Sequence, residues 1–521
     1  MSQHAADVDA VVIGGGHNGL VAAAYLARAG LRVLVLERLA HVGGAAVSAR
    51  AFEGVDVRLS RYSYLVSLLP PRIVDDLGAA VRLARRPYSS YTPDPATAGR
   101  HGLLIGATGD TFAAIGAAPD EQGFAAFYQR CRLVTQRLWP TLLEPLRTRE
   151  QARRHVGGSD EATAAWHALI DEPIGHAITA AVGNDVVRGV MATDALIGTF
   201  ARLGDPSLIQ NVCFLYHVLG GGTGDWDVPV GGMGALTEAL AAAAVRHGAQ
   251  ITTRAEVYAV EPDGRVRYRV RDDERTIRAR FVLAGVTPSA LAGLLGERPP
   301  TPAQGAQVKV NMVLRRLPRL RDAGVAPEQA FAGTFHVNES WSQLDGGYAD
   351  AAAGQIPNPL PCEAYCHSLT DPSILSPALR DSGAHTMTVF GLHTPHSLFD
   401  GTYSGALRDR LTDAVLASLN SVLAEPIQDV LMSDAEGRPC LETTTTLDLH
   451  RRLGMTAGNI FHGGLSWPFA DDDDPLDTPA RRWGVATAHE RIMLCGSGAR
   501  RGGAVSGIGG HNAAMAVLAS L

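Results

Sequence analysis

The chain opens on a run of apolar, β-branched residues, Asp9–Ile13, whose pattern predicts a buried parallel strand. Gly14-Gly15-Gly16-His17-Asn18-Gly19 interrupts it, and the alanine-rich Leu20–Ala29 predicts a helix closed by Gly30. Leu31–Leu36 is a second apolar strand that ends on Glu37. From about Tyr88 to Leu219 the pattern is mostly helical, with breaks at Gly, Pro and Asp clusters. Ala235–His247 is a strong helix-former run ended by Gly248. Between Gln250 and Val286 the period changes to two, and runs at Val257–Val260, Arg265–Val270 and Thr276–Leu283 predict a β-meander. Gln307–Leu314 also alternates, with Val308, Val310, Met312 and Leu314 on one face and Lys309, Asn311 and Val313 on the other. Residues 318–431 show no clear period, and Asp471–Asp474 reads as a solvated loop because like charges repel. The end repeats the logic of the start: a strand at Ile492–Cys495, a glycine-rich turn from Gly496 to Gly510, then a helix over Ala513–Leu521.

Length allows about three domains, or two with insertions, at ~150 residues each. Apolar residues make up 46% of the chain and glycine is plentiful, which suits an α/β protein and excludes disordered, collagenous and disulfide-scaffold classes. A net charge of −7 gives no basic footprint for nucleic acid. Six scattered cysteines point to a reducing, cytoplasmic setting. Met1–Asp9 has neither the basic nor the apolar region of a leader peptide, and no apolar run is long enough for a transmembrane segment. Among 46 basic side chains, Lys309 is the single lysine.

The first β-α-β unit carries chemistry. Gly14 permits a tight turn, Gly16 lets the backbone approach a pyrophosphate, and Gly19 lets the helix pack on the strand. Amides at the helix N-terminus, Asn18 among them, hold the anion, and Glu37 accepts hydrogen bonds from a ribose diol. Glu37-Arg38-Leu39-Ala40-His41-Val42-Gly43-Gly44-Ala45 resembles the extended FAD fingerprint, in which a Gly-Gly pair after the ribose-binding Glu gives a further backbone approach that an NAD site does not require, and the resemblance implies FAD. Gly220–Gly224 lacks a strand–helix context, so no second nucleotide motif is visible. No Cys/His group has zinc spacing, no metal site is expected, and no serine nucleophile elbow is present.

These motifs, with SRYSYLVSLL (Ser60–Leu69), RPYSSYTP (Arg86–Pro93), ATDALIG (Ala192–Gly198), WDVPVGGMGAL (Trp226–Leu236), GNIFHG (Gly458–Gly463) and LCGSGARRGGAVSGIGGHNAA (Leu494–Ala514), resemble the phytoene-desaturase-like branch of the flavin amine oxidase superfamily. The resemblance implies a two-domain α/β fold, with a Rossmann-type FAD domain from residues 1–85, 220–300 and 440–521. A mixed α+β substrate domain would come from residues 86–219 and 301–439. It implies FAD contacts from Val257, from Gly496, Ser497 and Gly498, and from Val505, Ser506 and Gly507 at the start of the last helix. The family usually carries His-Pro-Gly-Gly-Gly where this chain has Arg500-Arg501-Gly502-Gly503-Ala504. The two arginines either meet a flavin carbonyl or an anionic substrate group, or lie on a surface loop.

The implied activity is hydride removal from a largely apolar small molecule onto flavin N5, with oxygen, a quinone or another electron acceptor completing the cycle. Redox-neutral isomerisation with reduced FAD, and a flavoprotein acting mainly as an interaction partner, are the alternatives. Little acid–base machinery is expected. Lys309 matches a strand lysine that holds a water against the flavin in amine-oxidase-type members. His462 and His217 are the candidate proton acceptors, and Trp226 and Tyr88 the candidate pocket walls. Cys362 and Cys366 are not a redox disulfide, because such enzymes carry their pair near the first FAD helix. An oligomer is compatible with the sequence.

Overall fold

The computed structural model describes residues 6–399 and 405–521, so the first residues of the leader reading lie outside it. The strands of its two main sheets are, in chain order, β1 (Val8–Ile13), β2 (Val33–Leu36), β3 (Tyr88–Pro93), β4 (Gly102–Gly106), β5 (Gln250–Thr252), β6 (Ala255–Val260) and β7 (Arg265–Val270). They continue with β8 (Asp273–Ala284), β9 (Val308–Leu314), β10 (Thr334–Val337), β11 (Cys362–Tyr365), β12 (His385–Gly391), β13 (Leu441–Thr444) and β14 (Ile492–Leu494). Three helices matter most here: α1 (His17–Arg28), α2 (Met233–Arg246) and α3 (Ile508–Leu518).

The first sheet has the order β6-β7-β8-β1-β2-β5, with β14 paired to β8. β1, β2, β5 and β14 run parallel with the C-terminal half of β8. β8 serves two purposes. Its N-terminal half is exposed and closes the antiparallel meander, while Phe281–Ala284 are buried in the parallel sheet. The second sheet has the order β13-β9-β12-β11-β10-β3-β4. Every residue of β9 is buried, because one face packs on the helix Gly405–Val422 through Leu411, Val415 and Leu419 and the other faces the interior of the molecule.

Several elements differ from the sequence pattern. The segment from Tyr88 begins as the β3–β4 hairpin, and its first α-helix is Glu121–Leu138. β13 lies beyond residue 440 yet pairs with β9 in the second sheet, so the chain crosses back to the first sheet after Thr444. The Asp471–Asp474 run is largely exposed, but Asp472 accepts from the Glu150 amide and Asp474 pairs with Arg500. Both glycine-flanked helices start earlier than expected, α1 at His17 and α3 at Ile508. The glycines there answer to crowding. A Cβ on Gly510 would lie 1.9 Å from the Asn18 carbonyl oxygen, and one on Gly509 would lie 2.6 Å from that of Gly496. α1 and α3 therefore cross backbone to backbone, and the Asn18 side chain donates to Gly502 O at 3.2 Å.

That crossing predicts a contrast. Gly510→Ala should lose about 1–3 kcal/mol of stability through overpacking. Gly293→Ala, at an exposed position of the helix Pro288–Leu295 with nothing within 4 Å, should gain up to ~1 kcal/mol. Chemical denaturation of both variants checks this.

Candidate active site

At the nucleotide end, Gly14 adopts φ +96° and a Cβ on Gly19 would lie 2.3 Å from the Gly14 oxygen, so both positions exclude side chains. A Cβ on Gly16 would meet nothing within 4 Å, because that position faces a cavity. The Gly43 amide donates to Gly15 O at 2.8 Å, joining the second glycine turn to the first. Glu37 is 7% exposed, and its two carboxylate oxygens accept from the Gly15 and Leu39 amides, each at 2.7 Å. These bonds aim a carboxylate at the end of β2 into the same space. The first-turn amides of α1 lack intrahelical partners by construction and border it too.

The cavity is continuous and measures about 810 Å³, at the large end of the ~300–1,000 Å³ range of ligand clefts. Gly14, Gly16, Asn18, Gly19, Glu37, Arg38, Gly44, Ala45 and Val257 line it, and so do Gly496, Ser497 and Val505 from the C-terminal turn. Four expected contacts do not. Gly43 is pressed against Val47 and Thr237, and Gly498 against Pro288. Ser506 is fully buried and accepts from the Ile508 amide, while Gly507 packs on Val21 and Ile73. They shape the turns whose neighbours reach the cavity. An open glycine cradle, a helix N-terminus and a carboxylate at the strand end are the donor set a dinucleotide needs, so the residues present fit FAD.

The other end of the cavity is floored by one cross-strand rung of the second sheet. Thr444, Lys309, Phe390, Glu363 and His336 lie side by side on β13, β9, β12, β11 and β10, and all five line the cavity. Lys309 is 4% exposed; its ammonium donates to Ser60 O and Tyr62 O, both at 2.8 Å, and sits 4.9 Å from the centre of the Tyr64 ring. Burial holds its pKa well below the ordinary lysine value, against the opposing pull of Glu442.

His217 and His462 border the same space, as do Trp226 and Tyr88. The His217 ring stacks on Trp226 at 5.2 Å, and its Nδ1 lies 2.8 Å from Cys213 O. His462 is held at φ +65° with Nδ1 unpartnered, and burial lowers its pKa to about 4. Neither reading of the two arginines holds. Arg501 is 2% exposed and donates to the carbonyls of Thr141, Glu144 and Trp483. Arg500 donates to Phe469 O and pairs with Asp474. Both guanidiniums fasten the C-terminal turn to neighbouring backbone, and neither lines the cavity. All six cysteines are free and buried.

Sequence reasoning missed a buried cluster beside Lys309. Thr193 Oγ1 lies 2.9 Å from Glu363 Oε1 and 3.2 Å from Glu339 Oε2, and His336 Nδ1 lies 2.5 Å from Glu339 Oε2. Tyr365 donates to Glu363 Oε2, and its ring packs on that of Tyr64 with centroids 4.8 Å apart. The ligand atoms of His336, Glu339 and Glu363 all fall within 4.8 Å, a donor set that the expectation of no metal did not foresee. Two ligands of one ion with ~2.0–2.2 Å bonds lie about 3 Å apart or more. The 2.5 Å His336–Glu339 separation is that of a shared proton. Burial, then the Glu339 charge, pushes the Glu363 pKa up to about 8, and burial raises Glu339 as well. The available signal was the two-residue period in Thr334-x-His336 and Glu363-x-Tyr365, polar on one face only.

Comparison with known proteins decides the family. A model of the NAD(P)-binding Rossmann-like domain matches residues 12–71, and one of the flavin containing amine oxidoreductases matches residues 123–330. Pyridine nucleotide-disulfide oxidoreductase domain-containing protein 2 of Rattus norvegicus is 31% identical, over 99% of this chain and 94% of its own. The chain belongs to the flavin-containing amine oxidoreductase family. An uncharacterised Mycobacterium tuberculosis protein is 74% identical over 100% of this chain and 99% of its own. Cyclohexylamine oxidase from Brevibacterium oxydans shares the fold, with a TM-score of 0.57 at 15% identity and 99% coverage of both chains. This flavin amine oxidoreductase uses FAD, and among its described residues no helix is long and apolar enough to cross a membrane.

The raised Glu363 pKa has a stability consequence. An unfolded glutamate ionises near 4.5 and the folded one near 8, so the folded state holds an extra proton between those values and loses stability as pH rises through them. The Tm of the wild type should fall relative to that of Glu363→Gln from about pH 5 to 8, and the difference should level off above. Thermal melts across that range check it.

Proposed function

We propose that this flavin amine oxidoreductase is a dehydrogenase that takes hydride from a largely apolar small molecule. The observation that carries the reading is the lone buried ammonium of Lys309, on a polar floor rung that faces apolar side chains such as Leu68, Phe124, Val190, Ile197 and Phe461 elsewhere on the cavity wall. An apolar wall selects its ligand by burial and excludes water. In this assignment the first sheet and its helices hold the cofactor, and the second sheet with the helical segment from Glu121 to Leu219 holds the substrate. The Gly14–Gly19 turn and the start of α1 cradle the pyrophosphate, Glu37 takes the ribose, and the Gly496–Val505 turn closes over the remainder. FAD, when bound, supplies the hydride acceptor.

Lys309 acts through position and charge. Two of its three N–H groups are engaged by Ser60 and Tyr62 carbonyls, which fix the nitrogen and leave one for a water or a developing negative charge. An ammonium is a compact point charge that a guanidinium does not reproduce. Anaerobic mixing of the yellow protein with candidate substrates should bleach the flavin for a hydride donor; bound FAD inert to every donor would overturn the reading. Lys309→Met should keep FAD and slow flavin reoxidation by oxygen on the order of 10–100-fold. An unchanged oxygen rate in stopped-flow absorbance would remove the lysine from the mechanism.

A further inference from the structure

We propose that Glu363 is the proton-accepting residue of this cavity, with Tyr365 and Tyr64 linking it to Lys309 and with Glu339, His336 and Thr193 as positioning residues behind it. The inference rests on the dehydrogenase reading and supplies what that reading lacks. Dehydrogenation of two adjacent carbons breaks two C–H bonds. One hydrogen leaves with its electron pair, for FAD; the other leaves its pair behind to make the new double bond and departs as a proton. In a cavity that excludes water this proton needs an acceptor on the wall.

Glu363 is placed for that task. It shares the floor rung with Lys309, two strands and roughly 10 Å away, with Phe390 between them. Its Oε1 is held by Thr193 and its Oε2 by Tyr365, so the carboxyl is oriented on both sides. The Tyr64 ring packs on the Tyr365 ring with centroids 4.8 Å apart and lies 4.9 Å from the Lys309 ammonium, so packed side chains join the two charged groups along the floor. Behind it, Glu339 is 1% exposed and its Oε1 has no hydrogen-bond partner among the described residues, while its Oε2 shares a proton with His336. A structural cluster built only for stability would satisfy that oxygen. The charged groups facing Glu363 are Glu339, His336, Asp194 and Arg86; His336 Nδ1 lies 4.0 Å from Glu363 Oε1, but burial lowers the pKa of that imidazole and so favours its neutral form. A base that titrates near the working pH suits proton transfer in either direction.

The test needs no substrate. Infrared titration of the FAD-loaded protein should show a protonated-carboxyl band that disappears with a midpoint near pH 8 and is missing from Glu363→Gln. Reduction with dithionite adds negative charge to the cavity and should move the wild-type midpoint up by about half a unit or more, as a like charge disfavours a second one. Tyr365→Phe, which removes a donor to the carboxylate, should raise the midpoint in the oxidised protein and serves if the glutamine variant does not fold. A band that still titrates near pH 8 in Glu363→Gln, or a midpoint that ignores the redox state, overturns the proposal. Failure of every hydride donor to bleach the flavin is a separate result that sinks the dehydrogenase reading instead.

Discussion

The contact on which the arrangement depends is the backbone-to-backbone crossing of α1 and α3. It brings the first and last segments of a 521-residue chain within hydrogen-bond reach, and it does so because Gly510 offers no Cβ to the Asn18 carbonyl. With that approach made, Asn18 reaches Gly502 and the C-terminal glycine turn borders the same cavity as the N-terminal one. Arg501 completes the anchoring from the other side by donating to three backbone carbonyls. A guanidinium suits this task because its five N–H groups spread over a plane and need no counter-charge to be useful. The turn is thus fixed by the protein itself before any ligand arrives.

The second constraint is sheet register. Five strands from distant parts of the chain contribute one residue each to the cavity floor. Side chains on one rung stand parallel at strand spacing, so a basic residue and an acidic one are held at a set separation with an aromatic ring between. The same strands keep the opposite face apolar, through Val308, Val310, Met312, Cys362 and Ala364, where it packs on the Gly405–Val422 helix. Burial of that face fixes the register, and the register fixes the chemistry.

The nucleotide end was legible because glycine type, spacing and the terminal Glu37 each carry a local requirement: a turn, an approach, an acceptor. Lys309 was legible because its strand alternates over seven residues and its residue type is unique in the chain. His336 and Glu363 were not. Their strands are four residues each, so the period of two rests on a single pair of polar positions in each, and nothing local tells which strand lies alongside. The hairpin at Tyr88 was hidden for a similar reason, since it is held by a distant partner, β10. The family resemblance puts Gly507 and Gly498 at the cofactor; neither lines the cavity, and they pack on Val21 and Ile73 and on Pro288. A glycine-rich turn offers several positions of the same residue type, and only geometry separates the one that faces a ligand from the one that faces a helix.

The period of two in the floor strands has a further consequence. Moving any one of them along its neighbour by a single residue would exchange its two faces, sending Ala364 or Cys362 into the cavity and Glu363 into the apolar layer. Such a chain would still bury about as much oil-like surface, but it would trap a carboxyl where nothing can hydrate it. The acid in the cavity floor thereby acts as a proofreader of strand pairing: the mispaired sheet is penalised by the same desolvation that tunes the paired one.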